Sequence, residues 1–194
     1  MRLPELDVEA MDAAQKAVYS SIAGGARGGV RGPFLALLHS PELAARVEQL
    51  GVFVRFECAV PQRLRELAIL VVARHWRADY EWFAHAPIAE TQGLPKEAIE
   101  ALGAGAKPEW PTEADSVIVD FCEQLLGSRR VSDQTYERAR DLLGVHGVTD
   151  LTGLVGYYSL LALTLNAHEV NVPADADIPW HRETRNAGDA KRSS

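Results

Sequence analysis

The chain has 194 residues, room for one sizeable hydrophobic core without disulfide or metal staples. Hydrophobic residues at 47% and charged residues at 24% exclude a disordered or collagen-like chain. A formal charge of −7, from 27 acidic and 20 basic side chains, argues against a general nucleic-acid binder, which would need a basic face.

Apolar positions Met11, Ala14, Val18 and Ile22, spaced three and four apart, predict a first helix from Val8 to Ile22. The stretch GGARGGVRGP, Gly24 to Pro33, ends it, because five glycines and a proline cannot continue a helix cheaply. Ser40 ahead of Pro41 reads as an N-cap with proline at the first helical position, opening a helix to Glu57. Pro61 opens the next, with Leu64, Leu67, Ala68 and Val71 along one face. Gly93 stops the helix DYEWFAHAPIAETQG, and a short helix is predicted from Pro95 to Leu102.

Thr112-x-x-Asp115 reads as an N-terminal capping arrangement ahead of Val117, Phe121, Leu125 and Leu126. Ser132 caps SDQTYERARDLLG, which Gly144 ends. The segment VTDLTGLVGYYSLLALTLNAHEV is apolar nearly all round, which predicts either the most buried helix or a subunit interface. From His181 onward HRETRNAGDAKRSS is polar and reads as a disordered tail, leaving 1–180 as one helical domain. No alternating apolar run is bounded by hairpin turns. The reading is all-α, a single-domain bundle of seven or eight helices.

Cys58 and Cys122 form neither a CxxC pair nor a zinc spacing, which suits two free thiols in a reducing cytoplasm. The N-terminus lacks a cationic start followed by an apolar stretch, so no secretory signal is expected. The longest uninterrupted apolar run, Leu67 to Ala73, is seven residues against the ~18 a membrane span needs. The expectation is a cytoplasmic protein with no membrane and no nucleic-acid partner.

Chemistry concentrates in Asp79-Tyr80-Glu81-Trp82-Phe83-Ala84-His85. Glu81 and His85 stand four apart, so on a helix they project from one face and can meet. A carboxylate on one imidazole nitrogen fixes the tautomer and favours the protonated ring, which suits a general acid. A surface Glu–His pair beside core aromatics is the plainer alternative. Tyr80, Trp82 and Phe83 supply aromatic surface, with Trp82 or Tyr80 able to face a planar substrate.

RELAILVVARHWRADYEWFAH, with the helix continuing to Gly-Leu-Pro and GPFLALLHSPELA upstream, resembles the carboxymuconolactone decarboxylase family, which includes alkyl hydroperoxidase D-like proteins. The likeness covers most of residues 30 to 170 and is strongest from Arg65 to Pro95. The peroxidase-like branch carries Cys-x-x-Cys-x-x-x-His. Here Ala78 and Glu81 stand at the two cysteine positions and only His85 matches. Without a thiol pair there is no attack on peroxide and no resolving disulfide. The Glu-x-x-x-His pattern resembles the decarboxylase branch, which implies His85 and Glu81 in an active site and a homo-oligomer, a trimer or a hexamer.

That resemblance implies a cofactor-free carboxy-lyase on a small cyclic carboxylate such as 4-carboxymuconolactone. Loss of CO2 would leave a dienolate, which a protonated His85 could stabilise or protonate on carbon. Another lyase, isomerase or hydrolase using the same pair, or a non-catalytic oligomer, stays open. A carboxylate wants an anchoring arginine in an acidic protein, and Arg27, Arg31 and Arg74 are the candidates. Phe34 is placed to line the pocket. The glycine loop lacks the Gly-Lys-Ser/Thr ending of a phosphate loop and reads as a flap or a plain loop. His75 reads as a helix-end residue, and Asn166 with His168–Glu169 as a polar helix end. There is no HExxH and no Glu-x-x-His pair, and Glu81 with His85 gives at most two ligands, so no metal is expected.

Overall fold

Asp12 sets where the chain first turns helical. Its side chain accepts from the backbone N–H of Gln15, whose own side chain accepts from the N–H of Asp12, a closed capping box. Helix α1 is therefore Ala13–Gly24, and the predicted start at Val8 is five residues early. The computed structural model describes residues 1–26 and 28–181. Arg27 and the expected tail from 182 on lie outside the described residues.

After α1 come α2 (Pro33–Leu37), α3 (Pro41–Val52), a π-turn (Phe53–Glu57), α4 (Gln62–Trp76), α5 (Asp79–Thr91), α6 (Lys96–Gly103), α7 (Glu113–Ser128) and α8 (Asp133–His168). Among the described residues there is no strand. The predicted helix from Pro41 to Glu57 divides in two, its last turn closing as a π-turn with Cys58 N–H on the Phe53 carbonyl at 2.9 Å. Helix α2 was not predicted. Five residues make too short a run for apolar spacing to show. In α8 two helical runs meet at Gly144, whose φ of 69° is where the sequence placed a stop.

The core is organised around α4, which packs on α5, α7 and α8. Ten consecutive residues, Leu64 to Ala73, are buried, so this helix has no solvent face. Each aliphatic side chain buried there contributes about 1.5–3 kcal/mol. The most enclosed helix is thus α4 rather than the apolar segment at the C-terminus. By length and composition α8 is apolar enough to cross a membrane, yet half of its apolar window is buried inside the structure. Leu151, Leu154, Tyr158 and Leu161 make the inward stripe, while Gly153, Gly156 and Leu163 are exposed.

Arg77 adopts the left-handed conformation (φ 48°) as the C-cap of α4, and α5 starts two residues later. This short connection folds α5 back on α4. The C-terminal segment ties down the start of α5. Trp180, buried, donates to Asp79 at 2.7 Å and stands edge-on to Trp82, and His181 Nε2 lies 2.9 Å from the other Asp79 oxygen. His181, taken as the first residue of the tail, is thus anchored.

Candidate active site

The helical hairpin brings together two residues 19 apart, Glu66 of α4 and His85 of α5. His85 Nδ1 stands 2.6 Å from Glu66 Oε2, a short charge-assisted contact. On the other side of the ring, Nε2 stands 3.4 Å from Glu81 Oε2, one helical turn back. All three residues are 3% exposed. A buried carboxylate without a partner is costly, so two of them around one imidazole fix where protons must lie. With Glu66 ionised, the tautomer that carries its proton on Nδ1 donates to it, and a protonated ring also faces Glu81 through Nε2 at 3.4 Å. An unprotonated pair would set a lone pair against a carboxylate.

The sequence named Glu81 as the residue that orients His85, but Glu66 makes the shorter contact. The apolar face predicted for α4 runs through Leu64, Leu67, Ala68 and Val71 and does not include Glu66, which is nonetheless buried. The signal was present. Arg65 and Glu66 are the two charges within the run from Leu64 to Ala73, and buried charges need partners.

A cavity of about 390 Å³ opens on the Glu81 side of the ring. Glu81, Ala84, His85 and Ile88 line it, the i, i+3, i+4, i+7 face of α5. Phe34 of α2, Arg55 of the π-turn and Tyr158 of α8 complete the wall with Tyr80. The glycine loop contributes Gly29 and Arg31. It lies close on Tyr80. Gly32 has φ +56°, and a Cβ there would come within 2.2 Å of the Tyr80 ring.

Of the residues singled out from sequence, the structure therefore gathers Glu81, His85, Arg31 and Phe34 around one cavity. It does not bring Arg74 or Trp82 to it. Arg74 lies eight residues past Glu66, turned about 80° from it at 100° per residue, and its guanidinium lies over Trp180 at 5.8 Å. Trp82 follows Glu81 by one position, which puts it on another face of α5 against Trp180, buried in the core. Asn166 donates to the Trp76 carbonyl at 2.7 Å and closes the end of α4, and exposed His75 meets Trp76 edge-on. The two flanking carboxylates sit on opposite nitrogens of one ring, so no single point faces all three groups. Among the described residues no cluster of His, Cys, Asp and Glu is gathered for a metal ion.

Tyr158 stands edge-on to His85, ring centres 5.3 Å apart. Burial first, then the charge of Glu81, raises its phenol well above the ordinary value of 10, with Arg55 pulling the other way. Tyr80 is also raised, by burial and Glu81 against Arg31 and Arg55. A group raised on folding supplies stability that is full below its unfolded value and is lost as pH climbs through the folded one. Stability should accordingly fall above about pH 10, and the fall should be shallower in Tyr158→Phe. Urea melts from pH 8 to 11 check this; equal slopes for both proteins would remove Tyr158 as the cause.

Cys58 and Cys122 are both buried free thiols. Cys58 Sγ donates to the Val54 carbonyl at 3.0 Å, and burial pushes the Cys122 thiol far up. Neither lines the cavity.

No family model matches the sequence, and no curated protein matches it. Solved structures do. A protein from Ralstonia eutropha JMP134, described as an alkylhydroperoxidase AhpD core and an uncharacterized peroxidase-related protein, superposes with a TM-score of 0.71. It is 16% identical, over 90% of this chain and 93% of that one. An uncharacterized peroxidase-related protein from Silicibacter sp. TM1040 gives 0.68, also at 16%, over 89% and 93%. The chain thus has the all-helical AhpD-like fold. At this identity the likeness carries the fold and not the chemistry.

Proposed function

We propose that this chain is a thiol-independent acid–base enzyme, a carboxy-lyase of the carboxymuconolactone decarboxylase type acting on a small cyclic carboxylate. The observation that carries the reading is His85, clamped by Glu66 on Nδ1 and turned with Glu81 toward a cavity that Arg31 also lines. As the C–C bond to the carboxylate breaks, its electron pair passes into the ring system and charge collects on the enolate oxygen. A proton carried by Nε2 or by the Glu81 carboxyl is the one available on the cavity side, to neutralise that oxygen or to return to carbon. Glu66 keeps the ring in place and offsets its positive charge. Phe34 and Tyr80 supply the apolar wall for the ring.

The peroxidase-related neighbours suggest the other reading, thiol reduction of peroxide. It lacks support here, since Ala78 and Glu81 stand in the motif and both thiols are buried away from the cavity. The test is CO2 release and ultraviolet absorbance change with 4-carboxymuconolactone, wild type beside His85→Ala. Turnover that collapses in the variant is the expected result. Full activity without His85 refutes the acid, and no turnover by either protein discards this substrate. Peroxide consumption that depends on Cys58 or Cys122 would favour the neighbours' label.

A further inference from the structure

Arg55 carries no mark in the sequence, and its place is made by the π-turn. A hydrogen bond that closes one residue further than in an α-helix, from Cys58 N–H to the Phe53 carbonyl, re-aims the side chains of Phe53–Glu57 relative to α3. The turn is pinned from within the core. Arg65, only 7% exposed, sends Nη1 to the carbonyls of Val54 and Arg55 and lies 3.8 Å from Cys58 Sγ. A buried guanidinium inside the most enclosed helix is thus committed to holding five residues in an uncommon conformation. What that conformation delivers is the half-buried Arg55, at the cavity wall.

Charge in the cavity is segregated by depth. Glu81 and His85 lie at the buried end with Glu66 behind them, while Arg55 is half-buried and Arg31 exposed. The two carboxylates alone would repel an anion at short range. Two guanidiniums reverse that field at the mouth, and the charge of Arg55 is felt by both tyrosines of the wall.

Resting on the reading that this cavity holds the substrate, we propose that Arg55 is its specificity-determining residue, selecting a small planar ligand with one carboxylate bound at the mouth. Arg55 and Arg31 grip the carboxylate, the ring lies along Phe34 and Tyr80, and the far edge points to Nε2 of His85. The carboxylate held here is one that stays on the product. Contacts that stabilise a departing carboxylate in the ground state would slow its loss. A volume of about 390 Å³ suits a single ring with short substituents.

The test is calorimetric titration with benzoate and with its neutral counterpart benzamide, on wild type, Arg55→Gln and Arg55→Lys. Wild type should prefer benzoate by tenfold or more. Arg55→Gln should cut the preference at least about threefold, Arg31 holding the remainder, while binding benzamide as wild type does, which also reports an intact cavity. Arg55→Lys should keep part of it, because a point charge replaces a fork. A preference cut by less than about threefold in Arg55→Gln, or none in wild type, overturns the proposal. Binding is read without turnover, so the two readings fail separately. Arg55-dependent benzoate binding without CO2 release removes the lyase and leaves Arg55 standing. CO2 release that needs His85 and ignores Arg55 does the reverse.

Discussion

Exchange of His85 for glutamine should lower turnover by roughly 10²–10⁴-fold, the range set by a positioned acid or base. Glutamine still offers an N–H to Glu66, so the fold should hold and the loss should fall on kcat. Alanine goes further. It leaves Glu66 and Glu81 buried around an empty space, and removing one partner of a buried ion pair costs about 3–5 kcal/mol. The two variants together separate chemistry from stability: both inactive, only alanine strongly destabilised in urea. Adding Glu66→Gln to His85→Gln should reduce turnover little further, because residues acting as a unit are not additive. A His85→Gln enzyme within about threefold of wild type would take His85 out of the reaction.

Local rules made much of this fold readable. The Thr112–Asp115 box, the Ser132 cap and the Gly144 break each satisfy or interrupt backbone hydrogen bonds within a few residues, so three or four letters suffice. The same holds for Glu81 and His85, one helical turn apart. What was not legible depends on tertiary surroundings. Amphipathic spacing describes a helix with a wet face, and α4 has none, so Glu66 was hidden by the very rule that found α4. Arg55 depends on a π-turn held by Arg65 from another helix, which no local pattern announces. Arg74 is near the motif in sequence, but the rotation of α4 carries it to Trp180.

The second large effect is expected at Asp115, which does not line the cavity yet is coupled to it by chain geometry. Asp115 is fully buried and accepts from both terminal nitrogens of Arg63, at 3.1 Å from Nη2 and closer from Nη1. It also accepts from the N–H and hydroxyl of Thr112 at 3.1 and 2.8 Å. Arg63 in turn reaches the Gly93 carbonyl at 3.4 Å, a long contact. One carboxylate thus joins the start of α7, the start of α4 three residues before Glu66, and the turn that follows α5. Asp115→Ala should cost about 3–5 kcal/mol, a fifth or more of the stability of an ordinary domain. Arg63→Ala should cost less, about 1–3 kcal/mol, because Thr112 still donates twice to the buried carboxylate. Urea unfolding checks this through a lower midpoint at unchanged slope. A loss below about 1 kcal/mol in both variants would reduce the pair to a solvated surface contact. Because the clamp ties together the two helices that carry Glu66 and His85, Asp115→Asn, which keeps the shape and drops the charge, should lower turnover at temperatures where the protein is still folded.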